Sequence, residues 1–142
     1  MSIKPRAHRR PLRNRKGATL VEMAIVLPPL MLMGIGLCVA ELGVFRYHQV
    51  ASLAHESARW ASVHGKNYAR RAKKPIASTN DILNNVIEPR ATGLDLSKLT
   101  SVLEWNENFT AVTVTVSYQW TPEALFFAPK TFTCAAVALS SY

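Results

Sequence analysis

Met23 to Ala40 is a run of 18 residues without a charged side chain, and no other feature limits the fold of this 142-residue chain as much. As a helix the run spans ~27 Å, close to a hydrocarbon core of about 30 Å. Leu20 and Val21 before it, and Leu42, Val44 and Phe45 after it, lengthen the apolar stretch at both ends. The spacing predicts a transmembrane helix over residues 18–45. Everything else in the chain has to be arranged around that helix.

Charge sets its direction. Residues 1–17 hold seven of the 17 basic residues (Lys4, Arg6, Arg9, Arg10, Arg13, Arg15 and Lys16) and no acidic one. A flank of that kind keeps the N-terminus in the cytoplasm and puts everything after Glu41 outside. Removing those seven leaves ten basic residues against nine acidic, so the formal +8 belongs mostly to this leader. A DNA-binding fold carries its positive charge on a phosphate-facing surface, so this balance points away from nucleic acid. With Pro5, Pro11 and no hydrophobic period, the leader itself is expected to be disordered.

Within the span, Pro28 and Pro29 each remove a helical donor, and a kink is expected there. Gly34, Gly36 and Ala40 offer small surface for close helix packing. Glu22 stands out: a carboxylate at the start of an apolar run is costly and needs a partner or a headgroup. Two cleavable alternatives end differently. Cys38-Val39-Ala40 is a tolerable site for ordinary signal peptidase, whereas Leu37 directly before Cys38 is too large for a lipoprotein site.

Beyond Glu41 the helix is expected to continue to about residue 64, with Gly65 as its stop. Val50, Leu53, Ala54, Ser57, Ala58 and Ala61 form one stripe at helical spacing, and Gln49, Ser52, His55, Glu56 and Arg59 occupy the opposite face. Lys66, Arg70, Arg71, Lys73 and Lys74 read as a solvated basic loop, with contact to anionic headgroups or an acidic partner as the alternative. A short helix is expected over 80–88, ending before Pro89. Strands follow at about 101–105, 110–120 and 131–139. The middle one is the clearest, with Val112, Val114, Val116, Tyr118 and Trp120 alternating with polar residues. Leu125-Phe126-Phe127 is an apolar loop before the last strand.

The fold class expected is α+β and pilin-like: a long N-terminal transmembrane and amphipathic helix packed on a small three-stranded antiparallel sheet, with one extra short helix. Residues 1–17 are the leader, and residues 46–142 the extracytoplasmic domain.

Chemistry finds no foothold. His55-Glu56 begins like a zinc-protease helix, but Arg59 stands where the second histidine belongs. His48 and His55 are about 10 Å apart along a helix, too far for one zinc. No nucleophile elbow, P-loop or dinucleotide fingerprint occurs. No catalytic residue, metal or cofactor is expected. Asn108-Phe109-Thr110 is a glycosylation sequon, which matters only in a eukaryotic secretory pathway. Cys38 and Cys134 are expected to be buried free thiols, a bridge staying open. Trp60, Tyr68, Trp105 and Trp120 are expected to pack on the core, with interface or adhesive roles as the alternative.

At Gly17-Ala18-Thr19-Leu20-Val21-Glu22, followed by Met-Ala-Ile-Val-Leu-Pro28, the chain resembles prepilin-type subunits. It is most similar to the TadE family of pseudopilins, minor components of the Tad (tight adherence) type IV pilus system. Glu41-Leu42-Gly43 resembles the family's Glu-aromatic-Gly, with leucine in the aromatic's place. The alanine-rich stretch from Ala54 to Ala61 and the final hairpin resemble the family in the same order.

The resemblance implies cleavage between Gly17 and Ala18 by a prepilin peptidase at the cytoplasmic face. Glu22 then becomes the fifth residue after a new amine at Ala18 and the inter-subunit contact of an assembled filament. Its implied partners are that peptidase, other pilins or pseudopilins, an inner-membrane assembly platform and the bilayer. The implied location is the bacterial inner membrane, single-pass, or a surface pilus. The competing reading is an uncleaved, membrane-anchored extracytoplasmic binding module, in which Glu22 sits at the lipid interface.

Overall fold

The computed structural model describes residues 16–122 and 128–140. Most of the leader and the Leu125-Phe126-Phe127 segment lie outside the described residues. The chain forms two compact units, Met1–Leu37 and Cys38–Tyr142.

In the first unit the described chain is α-helical. It is the opening part of helix α1, Lys16–Val63, and the helix runs through Pro28 and Pro29 without a break. Each proline lacks an N–H, so the carbonyls of Ala24 and Ile25 lose their in-helix donors. The large apolar side chains here are all well exposed, from Leu27 at 52% to Met33 at 78%.

The second unit is the α+β part. The later turns of α1 pack on a three-stranded antiparallel sheet in the order β1-β2-β3. Its strands are β1 Leu99–Trp105, β2 Ala111–Trp120 and β3 Lys130–Leu139. Register pairs Leu103 with Val114 and Val114 with Ala136, so these three side chains share one row on the inner face. Val112, Val114 and Val116 are fully buried and Tyr118 nearly so, while Thr113, Thr115 and Ser117 are half-covered on the other face. Period two in the sequence thus becomes one buried face. The helix meets it with the stripe Val50, Leu53, Ala54, Ser57, Ala58 and Ala61, none more than 4% exposed. Four of these six residues are alanine or serine, which lets the helix backbone lie close to the valines.

Three local expectations need correction. Lys66 to Ala72 is a short helix, α2, rather than a loop. It has no buried residue and closes at Lys73 in the left-handed region, whose N–H donates to the Ala69 carbonyl. The next helix does not stop at Glu88. It runs as α3 Thr79–Ile82, a π-helical stretch Leu83–Ile87 and α4 Glu88–Arg90. In the wider π turn the Glu88 N–H reaches back five residues to the Leu83 carbonyl. That loosens the turn into which the Pro89 ring would otherwise press, and the chain stays helical across the proline. Finally, Cys38 is exposed and Cys134 only half-buried, and both are free thiols. Cys38 sits on an apolar helix surface that no sheet residue covers, and Cys134 faces inward from an edge strand.

The start of α3 is well built. Ser78 caps it, its hydroxyl accepting from the Asp81 N–H while the Asp81 carboxylate accepts from the Ser78 N–H. Ile82, Val86 and Ile87 then enter the core.

Candidate functional site

Gly17, Ala18, Glu22, Pro28 and Pro29 all lie on α1 in the first unit. Gly17 and Ala18 belong to its opening turn, where backbone N–H groups have no acceptor within the helix. Gly17 is exposed, and a Cβ added there would meet nothing within 4 Å. Glu22 is four residues after Ala18, hence on the same face one turn along. It is exposed among Leu20, Val21 and Met23, themselves 73%, 62% and 66% exposed. An ionised carboxylate on so apolar a surface calls for a cation, a headgroup or water.

The Glu41-Leu42-Gly43 stretch acquires a physical reason that sequence reasoning did not supply. Gly43 is buried, and a Cβ there would come within 3.0 Å of the Trp120 ring. Trp120 in turn stacks on Phe132 at 5.7 Å, and Phe132 meets Tyr47 edge-on at 6.0 Å. The glycine is where the indole at the end of β2 seats against the helix. A glycine one turn from an aromatic on the same helix, with a tryptophan closing a strand, was the available signal.

Gly65 also works through space. Its φ of −77° is ordinary, so it is not a left-handed stop. An added Cβ would lie 2.6 Å from the Ser140 hydroxyl and 3.3 Å from the Trp105 ring. Trp105 donates its indole N–H to the Ala77 carbonyl at 3.2 Å, tying β1 to the segment before α3. Trp60, Trp105 and Trp120 are half-buried against the core, whereas Tyr68 packs on His64 instead.

No group of three or more His, Cys, Asp or Glu side chains comes together among the described residues. His48 is exposed and meets the Tyr47 ring at 5.9 Å. Glu56 pairs with Arg90 across the gap between α1 and α4. Asp81 is held below the usual carboxylate range, chiefly by the Ser78 hydroxyl and then by the Ser78 N–H, with a smaller contribution from His64. Asp95 is lowered in the same way by the Ser97 hydroxyl and N–H.

A long apolar helix with an exposed first part, whose later turns pack on a small antiparallel sheet, defines a helix-tethered α+β subunit. Thr19–Val63 is long and apolar enough to cross a membrane, which is consistent with a single-pass anchor. Within that class the chain's affinity is specific: residues 17–59 match the family model of the TadE-like proteins. The matched segment begins at Gly17 and ends at Arg59, so it lies on α1 and includes none of the sheet. No curated protein and no solved structure matches the chain.

Proposed function

We propose that this chain is a minor pseudopilin, a pilus-assembly subunit of a Tad-type system. The single observation that carries the reading is the TadE-like match, which starts at the glycine proposed for cleavage. A prepilin peptidase removes the basic leader between Gly17 and Ala18, and the subunit waits in the inner membrane with its α+β unit on the outer side. An assembly platform then draws it out, and α1 bundles with the helices of other pilins or pseudopilins. Glu22 meets the new α-amine of a neighbour, so that two charges are satisfied together inside an apolar bundle. The role is structural, without catalysis.

Mass spectrometry of the mature N-terminus in the native cell tests the first step. A chain starting at Ala18 supports it; an intact Met1, or a start at Glu41, rejects it. Replacing Glu22 with alanine tests the second, with processing expected to survive and assembly to fail. Normal piliation in that variant removes the role assigned to the carboxylate.

A further inference from the structure

The sheet reaches back to the apolar part of α1. Gly43 is buried beneath Trp120, the last residue of β2, and an added Cβ would stand 3.0 Å from that ring. Beside the glycine, Leu42, Val44 and Phe45 are 52%, 57% and 57% exposed. One turn of helix thus carries the end of the sheet on one face and bare apolar side chains on the others. Glu41 is the only charged residue between Met23 and Phe45.

Other rings gather at this level. Trp120 stacks on Phe132, and Phe132 meets the exposed Tyr47. Lys130 is opposite Trp120 in the β2–β3 register, and the Lys98 Nζ donates to the Thr121 hydroxyl at 3.0 Å. Both lysines are exposed. Arg46, half-buried, donates to the Gln49 side chain at 3.1 Å. Glu41 and Asp95 lie close to these cations in the chain and offset two of the three.

We propose that this end of the second unit rests on the bilayer surface. Tyr47, Trp120 and Phe132 lie in the phospholipid headgroup layer, with Lys98 and Lys130 against its phosphates. The inference rests on α1 being a membrane anchor, and it assigns the sheet a contact while the subunit is held there. Gly43 and Tyr47 are ~3 and ~9 Å along the helix from Glu41, the first charge after the uncharged run. The headgroup layer is about 5–8 Å deep on each side of the hydrocarbon. A sheet seated at Gly43 therefore cannot stand clear of it. Rings with an apolar body and a polar edge favour that layer.

Two other occupants fit less well. An acidic partner needs a surplus of cations, and Glu41 and Asp95 remove most of it. A neighbouring helix packs closely on small residues, and the small residue of this turn, Gly43, is already filled by Trp120.

Trp105 supplies a ruler, because it lies beside Gly65, ~33 Å further along α1 than Gly43. The test places the full-length chain, one copy per disc, in phosphatidylcholine nanodiscs that contain a lipid with a nitroxide on its headgroup. The double variant Trp60→Phe, Trp105→Phe keeps Trp120 alone, and Trp60→Phe, Trp120→Phe keeps Trp105 alone. Trp120 emission is expected to be quenched at least about twofold and Trp105 emission hardly at all. Quenching of Trp120 is expected to persist as salt rises, since the net charge of the contact is small. If a double variant does not fold, the parent decides, and its quenchable emission is expected to vanish in Trp120→Phe. A chain that does not enter the discs rejects the anchor and this inference with it. A chain that enters them with Trp120 no more quenched than Trp105 overturns the inference and leaves the anchor standing.

Discussion

Two stretches of one helix meet opposite fates. From Met23 to Leu37 α1 is apolar all round, and its large side chains stand exposed. From Val50 to Ala61 it is apolar on one stripe only, and that stripe is almost wholly covered. Composition alone ranks the first stretch as the more hydrophobic, yet the second is the one in a core. The difference lies in side-chain size and period. Alanine and serine at helical spacing let a sheet approach, whereas leucine, methionine and isoleucine on every face leave no side for polar neighbours. A surface of that second kind belongs in lipid or among other helices.

The contrast can be broken by substitution. Ile87 is fully buried in the second unit, so Ile87→Ala is expected to cost ~2–5 kcal/mol. Leu32→Ala on the exposed stretch is expected to leave denaturant unfolding of the second unit unchanged; an equal loss in both would erase the distinction. Gly43→Ala should cost ~1–3 kcal/mol, because Trp120 must shift or the helix must retreat. Its signature is a change in tryptophan emission together with a lower melting temperature, and an unaltered spectrum counts against the seat described above.

Ser57 sharpens the comparison in the opposite direction. Its hydroxyl is buried in the stripe without a hydrogen-bond partner. Ser57→Ala is therefore expected to raise stability by about 1 kcal/mol in thermal melts, by removing an unpaired polar group. A destabilised variant would mean that the hydroxyl has a partner after all.

The smallest effect concerns pH. The folded pKa of Asp81 lies below its unfolded value of about 3.9. The capping carboxylate thus adds stability that is fully present above that value and is lost as pH falls through the folded pKa. The group is exposed, so the contribution is under about 1 kcal/mol. Asp81→Asn should flatten the acid limb of the stability curve by that amount.

Much of the fold could be read directly. The uncharged run, the small-residue stripe and the alternation in β2 are local patterns with one physical interpretation each. The short elements were less legible. α2 has no apolar face to announce it, and the π turn before Pro89 runs against a rule that holds for regular α-helices. Cys38 was misjudged because free thiols are usually buried, and nothing in its neighbours says which helix face the sheet will cover.

Of the residues proposed for function, Gly17, Ala18 and Glu22 are visible in sequence because they sit on one helix at fixed spacing. The proposed bilayer contact is not. Gly43, Trp120 and Phe132 are brought together only when β2 and β3 fold back beside α1.

By itself the sequence determined the long helix, the separation of an apolar half from a stripe-bearing half, and the alternation of the sheet. Each follows from periodicity and charge within a few turns of chain. Only the tertiary structure decided what presses on Gly43 and Gly65, and which tryptophans reach the helix. Those depend on distances between residues far apart in the chain, which no local pattern encodes.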